Sequence, residues 1–203
     1  MTTVIPLWLD LAAVGFGAFQ GALYAVVKLR YDVIGIMVIA GVTGMGGGII
    51  RDLLLGVRPT ALNDQYLLVV IGSIVAAIFL GRWHEQGRKP VMLADSVTIA
   101  LYGVAGTYKA LALGASAISA ILLGTITAVG GGVLRDLFSG MRPAIFQGGP
   151  LYATAAVAGC AAFVVLREFA MTLTAATLIG AAITVVIRVL ALRFKWILPV
   201  LKY

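Results

Sequence analysis

The sequence predicts an all-α integral membrane protein of seven transmembrane helices, arranged as two inverted three-helix repeats followed by a seventh helix. Three observations predict this. Of the 203 residues, 62% are hydrophobic and only 11% charged, with a mean hydropathy of +1.08; a soluble domain has about 45–50% apolar and about 25% charged residues. The apolar residues gather in seven runs, each close to the ~20 residues that a membrane span requires. A fourteen-residue phrase also occurs twice, as GGGIIRDLLLGVRP from Gly46 and GGGVLRDLFSGMRP from Gly130.

The first run, 7–27, reads as a retained helix rather than a signal peptide. No Lys or Arg precedes Leu7, Asp10 comes early, and no A-x-A site follows. The second run covers 33–50 and continues to about 56. The others are 66–81, 91–108, 116–138, 149–166 and 172–194. None alternates polar and apolar residues as barrel strands of about ten residues would. The connections are too short for a soluble module, so residues 1–203 form one membrane domain. The first repeat spans about 7–83, the second about 91–167, and the extra helix about 172–194.

The repeat rests on identities. At an offset of 84, nine of the fourteen positions of the doubled phrase match, and Thr43 matches Thr127 just upstream. At an offset of 85, "LDLAAVGFGAFQGALYA" aligns with "ADSVTIALYGVAGTYKA", pairing Asp10 with Asp95 and Gly21 with Gly106. A unit of three helices is odd, so its second copy enters the membrane from the opposite side. The two units are then related by a pseudo-two-fold axis in the membrane plane, as in many transport proteins.

The net charge of +7 does not indicate nucleic acid, because the basic residues sit at helix ends rather than in one stripe. With seven spans, Arg51, Arg58, Lys109 and Arg167 fall on the side of the N-terminus, and the other eleven basic residues, Arg188 and Lys202 among them, fall opposite. Basic residues favour the cytoplasm. The N-terminus is therefore expected outside the cell membrane and the C-terminus in the cytoplasm.

The doubled phrase carries the functional reading. Glycine in a helix interior costs about 1 kcal/mol relative to alanine, and three in a row expose backbone that hydrocarbon cannot satisfy. Gly46, Gly47 and Gly48, with Gly130, Gly131 and Gly132, are expected to kink or break two helices beside a wet pathway. Close helix packing is the competing reading of the glycines alone. Arg51 with Asp52 and Arg135 with Asp136 overhang the two notches. Charges inside a membrane face partners or water and mark pathways by default.

Several other features carry less. Lys109 reads as a snorkelling anchor, with a position on the pathway as the other reading. Asp10 and Asp95 read as acidic groups at helix N-termini, stabilised by the helix dipole. Gly17 and Gly21 form a possible G-x-x-x-G contact seam. Gly44-Met45-Gly46 lacks the final glycine and the preceding strand of a dinucleotide loop. His84 is the sole histidine and Cys160 the sole cysteine; no metal site, disulfide or catalytic triad is expected, and no enzyme activity.

Seven helices, two inverted units and a GGG-x-x-R-D signature in the second helix of each unit resemble the trimeric intracellular cation (TRIC) channel family, in its prokaryotic branch. The same signature marks small bacterial membrane proteins called glycine transporters. The K-E-V motif and long tails of animal members are missing. The resemblance implies a homotrimer with one pore per subunit, lined by the glycine-kinked second and fifth helices. Flow would be passive, of potassium with sodium also permeant, and no cofactor is needed. The resemblance further implies that Arg51, Asp52, Arg135 and Asp136 flank this cation path, with Asp52 and Asp136 offsetting the arginines, and that Thr43 and Thr127 supply hydroxyls to it. A secondary transporter of a small zwitterion such as glycine is the alternative.

Overall fold

The computed structural model describes residues 5–83, 88–147 and 149–197. Its seven α-helices are α1 (Leu7–Tyr24), α2 (Val33–Leu54), α3 (Asp64–Trp83), α4 (Arg88–Ala112), α5 (Ala117–Phe138), α6 (Ala153–Glu168) and α7 (Leu173–Phe194). Six of them are long and apolar enough to cross a membrane, α1 being counted with the π-helical turn Ala25–Leu29 that extends it. The sixth helix, expected from residue 149, starts at Ala153 and has only 16 residues. The chain before it is extended instead: Pro150 bridges Ile197, and the Leu151 N–H donates to the Trp196 carbonyl at 3.0 Å. His84 and Lys202 lie outside the described residues.

Side-chain caps begin three of the helices. Asp32 accepts from the Gly35 N–H at 2.8 Å, Ser116 from Ser119 at 3.3 Å and Thr172 from Ala175 at 3.4 Å, each satisfying an orphan donor of the first turn. Both copies of the doubled phrase end their helix in the same way. Gly56 and Gly140 take φ of +67° and +66°, and the N–H of the next residue returns to the carbonyl of Asp52 or Asp136 at 2.9 and 2.8 Å. That left-handed stop favours glycine, which explains its place in both copies.

The central helices are α1 and α4. The first packs on α2, α3 and α4; the second packs on α5, α6 and α7 as well as α1. Small residues set these distances. A Cβ on Gly17 would lie 3.1 Å from the Gly44 Cα, and one on Gly21 would lie 2.6 Å from the Thr43 hydroxyl. The matching contact in the second half sets Gly106 against the Thr127 hydroxyl, also at 2.6 Å. The G-x-x-x-G seam of α1 is thus used, against α2.

The glycine triplets do not break their helices. Helical structure runs without a break through Gly46–Gly48 and through Gly130–Gly132. Backbone groups there remain within their own helices, so no pair of half-helix ends is exposed. The triplets instead let α2 and α5 cross with backbone against backbone. A Cβ on Gly47 would collide with the Thr127 carbonyl oxygen, and one on Gly131 with that of Thr43. Gly46 faces Leu134 and Gly130 faces Ile50.

Any side chain at this crossing must push two helices apart, and overpacking of this kind costs about 1–3 kcal/mol. Gly47→Ala and Gly131→Ala are each expected to lower the thermal unfolding midpoint of the purified protein by several degrees. Gly72→Ala, on α3 with nothing within 4 Å of its Cβ, is expected to leave the midpoint unchanged or raised.

Candidate functional site

Two clusters of buried charge lie at the ends of the α2–α5 crossing. In the first, the Arg51 guanidinium donates from Nε to Asp52 Oδ1 at 2.7 Å and from Nη1 to Asp10 Oδ1 at 3.0 Å. Lys109, from the far end of α4, donates to the same Asp52 oxygen at 2.8 Å. The Tyr66 hydroxyl donates to Asp10 Oδ2 at 2.9 Å, and the Thr60 N–H donates to Asp52 Oδ2 at 3.0 Å. Arg51 and Asp52 are both 1% exposed. Two acids and two bases balance.

The second cluster repeats the pattern. Arg135 donates to Asp136 at 2.9 Å and to Asp95 at 3.3 Å, and the Ala144 N–H donates to Asp136 Oδ2 at 3.0 Å. Tyr152 meets Asp95 at 3.5 Å as Tyr66 meets Asp10. The Pro59 and Pro143 turns thus fold the chain back so that one N–H, eight residues on, reaches the aspartate. The doubled phrase encodes this return as much as it encodes the crossing.

The clusters differ at one equivalent position. At the offset of 85, Lys109 corresponds to Tyr24. Lys109 binds Asp52 in the first cluster, whereas the Tyr24 ring stacks on the Arg135 guanidinium at 4.5 Å in the second. The base missing there is supplied by Arg188 of α7, whose Nη2 lies 3.4 Å from Asp95 Oδ2 and whose Nη1 donates to the Leu151 carbonyl at 2.8 Å. Fourteen residues, about 21 Å of helix, separate Asp10 from Tyr24 on α1 and Asp95 from Lys109 on α4. Each of these helices therefore touches both clusters, α1 starting at the first and α4 at the second.

Three readings of the sequence change here. Lys109 is no snorkelling anchor, because it is 4% exposed and paired. Asp10 does more than stabilise a helix start: at 3% exposure it neutralises Arg51 from another helix. Arg188, assigned to a membrane face by its place in the chain, is buried and paired. Thr43 and Thr127 spend their hydroxyl protons on Ile39 and Leu123 of their own helices, at 2.6 and 2.7 Å, and turn toward Gly21 and Gly106. Sequence reasoning passed over Tyr66, Tyr152, Thr60 and Gln20. Asp10 and Asp95 carried the signal that could have found the clusters, since a matched pair of membrane acids calls for matched bases. No metal-binding group of His, Cys, Asp and Glu occurs among the described residues.

The second cluster opens into a cavity of about 750 Å³. Asp95, Arg135, Tyr152 and Arg188 line it on one side, and Gln20, Tyr24 and Lys28 of the α1 segment on the other. The first cluster is buried, with Asp10, Arg51, Asp52, Tyr66 and Lys109 all nearly inaccessible.

A bundle of apolar helices whose buried charges gather in two internal clusters defines a multi-pass helical membrane protein. The chain belongs to the family described as Glycine transporter, whose model matches it twice, over residues 7–82 and 92–168. It is 31% identical to the UPF0126 inner membrane protein YadS of Escherichia coli K12, over 95% of this chain and 94% of that one. Among solved structures it is similar to the TRIC trimeric intracellular cation channel orthologue from Rhodobacter sphaeroides, at 34% identity and a TM-score of 0.84, covering 94% of this chain and 98% of that one. A TRIC cation channel described for its conductance matches at 32% identity and a TM-score of 0.83, covering 97% of each chain. These solved neighbours are channels rather than enzymes, and the fold is theirs.

Removing one partner from a buried ion pair costs about 3–5 kcal/mol, because the other charge is left uncompensated. Arg51→Ala strands Asp10 and leaves Asp52 with Lys109; Arg135→Ala strands Asp136 and leaves Asp95 with Arg188. Thermal unfolding in detergent is expected to show comparable losses for the two variants; a loss confined to one of them would contradict this account of the two clusters.

Proposed function

We propose that the protein is a passive, potassium-permeable monovalent cation channel, assembled as a homotrimer with one pore in each subunit. The observation that carries this reading is the match to two TRIC cation channels along nearly the whole of each chain, at 32% and 34% identity. The pathway runs along the α2–α5 crossing from the open cavity at the second cluster to the buried first cluster. Helices α2 and α5 line it, and Gly46–Gly48 and Gly130–Gly132 set its narrow middle by letting the two helices cross closely. Arg51–Asp52 and Arg135–Asp136 border its two ends. Lys109 closes one end through Asp52. Thr43 and Thr127 flank it as packing partners of Gly21 and Gly106. No cofactor takes part, and sodium permeates with potassium.

Within this reading all seven helices span the membrane, and the two three-helix units are inverted relative to each other. The support is the course of α1 and α4, which connect the two clusters in opposite chain directions. The N-terminus lies outside and the C-terminus in the cytoplasm. Each arginine on the path is offset by its aspartate: near 4 Å, an effective dielectric of 20 gives about 4 kcal/mol per charge pair, enough to stop cations if left uncompensated. The alternative, a secondary transporter of a small zwitterion such as glycine, draws on the name of the family model.

Purified protein in planar bilayers with potassium salts is expected to give unitary current steps. Asp52→Ala and Asp136→Ala should lower cation conductance severalfold. Saturable glycine counterflow without current steps would replace the channel with the transporter.

A further inference from the structure

The second half of the chain departs from the first where α6 begins. Tyr66 and Tyr152 correspond at an offset of 86, which pairs Asp64 with Pro150 and Gln65 with Leu151. Asp64 is already helical, so Tyr66 is the third residue of α3. By contrast, α6 begins only at Ala153, and Tyr152 stands outside it. The sequence itself permits the missing turn. Pro150 suits a first helical position, where its absent N–H costs nothing and its φ is preset. Gly149 is an acceptable residue for the cap before it.

The contacts that take Pro150 and Leu151 out of the helix come from α7, which has no counterpart in the first half. Lys195 ends α7 in the left-handed conformation, at φ +55°, and turns the chain back. The Trp196 carbonyl then accepts from the Leu151 N–H at 3.0 Å, and Ile197 bridges Pro150. From within α7, Arg188 Nη1 donates to the Pro150 and Leu151 carbonyls at 3.3 and 2.8 Å. A longer α6 would need those carbonyls for the N–H groups of Thr154 and Ala155. The connection also has slack: Tyr66 lies six positions beyond Thr60, and Tyr152 eight beyond Ala144.

The two clusters differ accordingly. Tyr66 donates to Asp10 at 2.9 Å, and the Asp10 side chain is 5% exposed. Tyr152 is 3.5 Å from Asp95, whose side chain is 13% exposed and lines the cavity. We propose that Pro150–Tyr152 is a two-state segment. Strapped to α7, as in this structure, it leaves Asp95 open to the cavity. Joined to α6, as Asp64–Tyr66 is joined to α3, it brings the Tyr152 hydroxyl onto Asp95 and covers the second cluster as the first is covered. The turn Lys195–Ile197 is then the element that keeps this mouth open. Its bearing on conduction rests on the cavity being the mouth of the pathway; the two states of the segment do not.

The test is hydrogen exchange of the purified protein in detergent, comparing the full chain with chains ended at Ile197 and at Lys195. Ending at Lys195 removes the strap. Exchange at Leu151 should then quicken, while exchange at Ala153 and Thr154 should slow severalfold, because their N–H groups gain the Gly149 and Pro150 carbonyls as α6 lengthens. Mere loosening would quicken all three. Ending at Ile197 keeps both contacts and should match the full chain. In the full chain, Lys195→Gly favours the left-handed turn and should slow exchange at Leu151. Uniformly faster or unchanged exchange on ending at Lys195 overturns the proposal. So does the same shift on ending at Ile197, or no slowing at Leu151 in Lys195→Gly. In planar bilayers, the chain ended at Lys195 should conduct severalfold less than the one ended at Ile197. Equal currents despite the exchange shift overturn the role at the mouth. Absence of current from every form overturns the channel and leaves the exchange result to decide the segment.

Discussion

Charge inside a low-dielectric bundle must be neutralised where it stands, and this requirement organises the protein. Arg51 and Arg135 are each held by two carboxylates, one adjacent in sequence and one from the start of another helix. Neither arginine could be buried with its neighbour alone, because a carboxylate one residue away supplies one hydrogen-bonded edge of the guanidinium. The second carboxylate has to come from α1 or α4. Two helices that are distant in sequence are thereby fixed against the ends of α2 and α5. The apolar surface outside can then face lipid, where helix association depends on close contact rather than on expulsion of water.

The glycine triplets meet the second requirement, that these ends approach closely. With side chains absent at Gly47 and Gly131, the backbones of α2 and α5 touch each other's Thr127 and Thr43 carbonyls. The phrase that follows each triplet completes a local device: Asp reaches forward to an N–H beyond the proline, and glycine at positive φ ends the helix. One short motif thus sets a helix crossing, an ion pair and a chain reversal.

Much of the fold was legible in the sequence because hydropathy and the repeat both report it. The runs 33–56, 116–138 and 172–194 lie close to α2, α5 and α7, and the family model independently covers two segments of nearly equal size, 7–82 and 92–168. What was not legible depended on contacts across helices. Gly46–Gly48 read as a helix break because sequence shows the lost side chains and not the second triplet that fills their place. Lys109 and Arg188 looked like membrane-face charges because their chain positions near helix ends say nothing about which way they turn. Asp10 and Asp95 were recognised as equivalent, yet their partners lie forty and more residues away.

A mechanical consequence follows from the way α1 is tied down. Its Asp10 end is locked to Arg51, and its Tyr24 end is stacked on Arg135, roughly 21 Å along the same rod. Sliding this rod as a rigid piece loosens both moorings at once, and α4, moored in the reverse sense through Asp95 and Lys109, is bound by the same rule. Independent rearrangement of the two clusters therefore requires side chains to swing while the rods stay still. The π-helical turn at Ala25–Leu29, immediately past the second mooring, gives α1 a soft joint beyond the stretch that has to stay rigid.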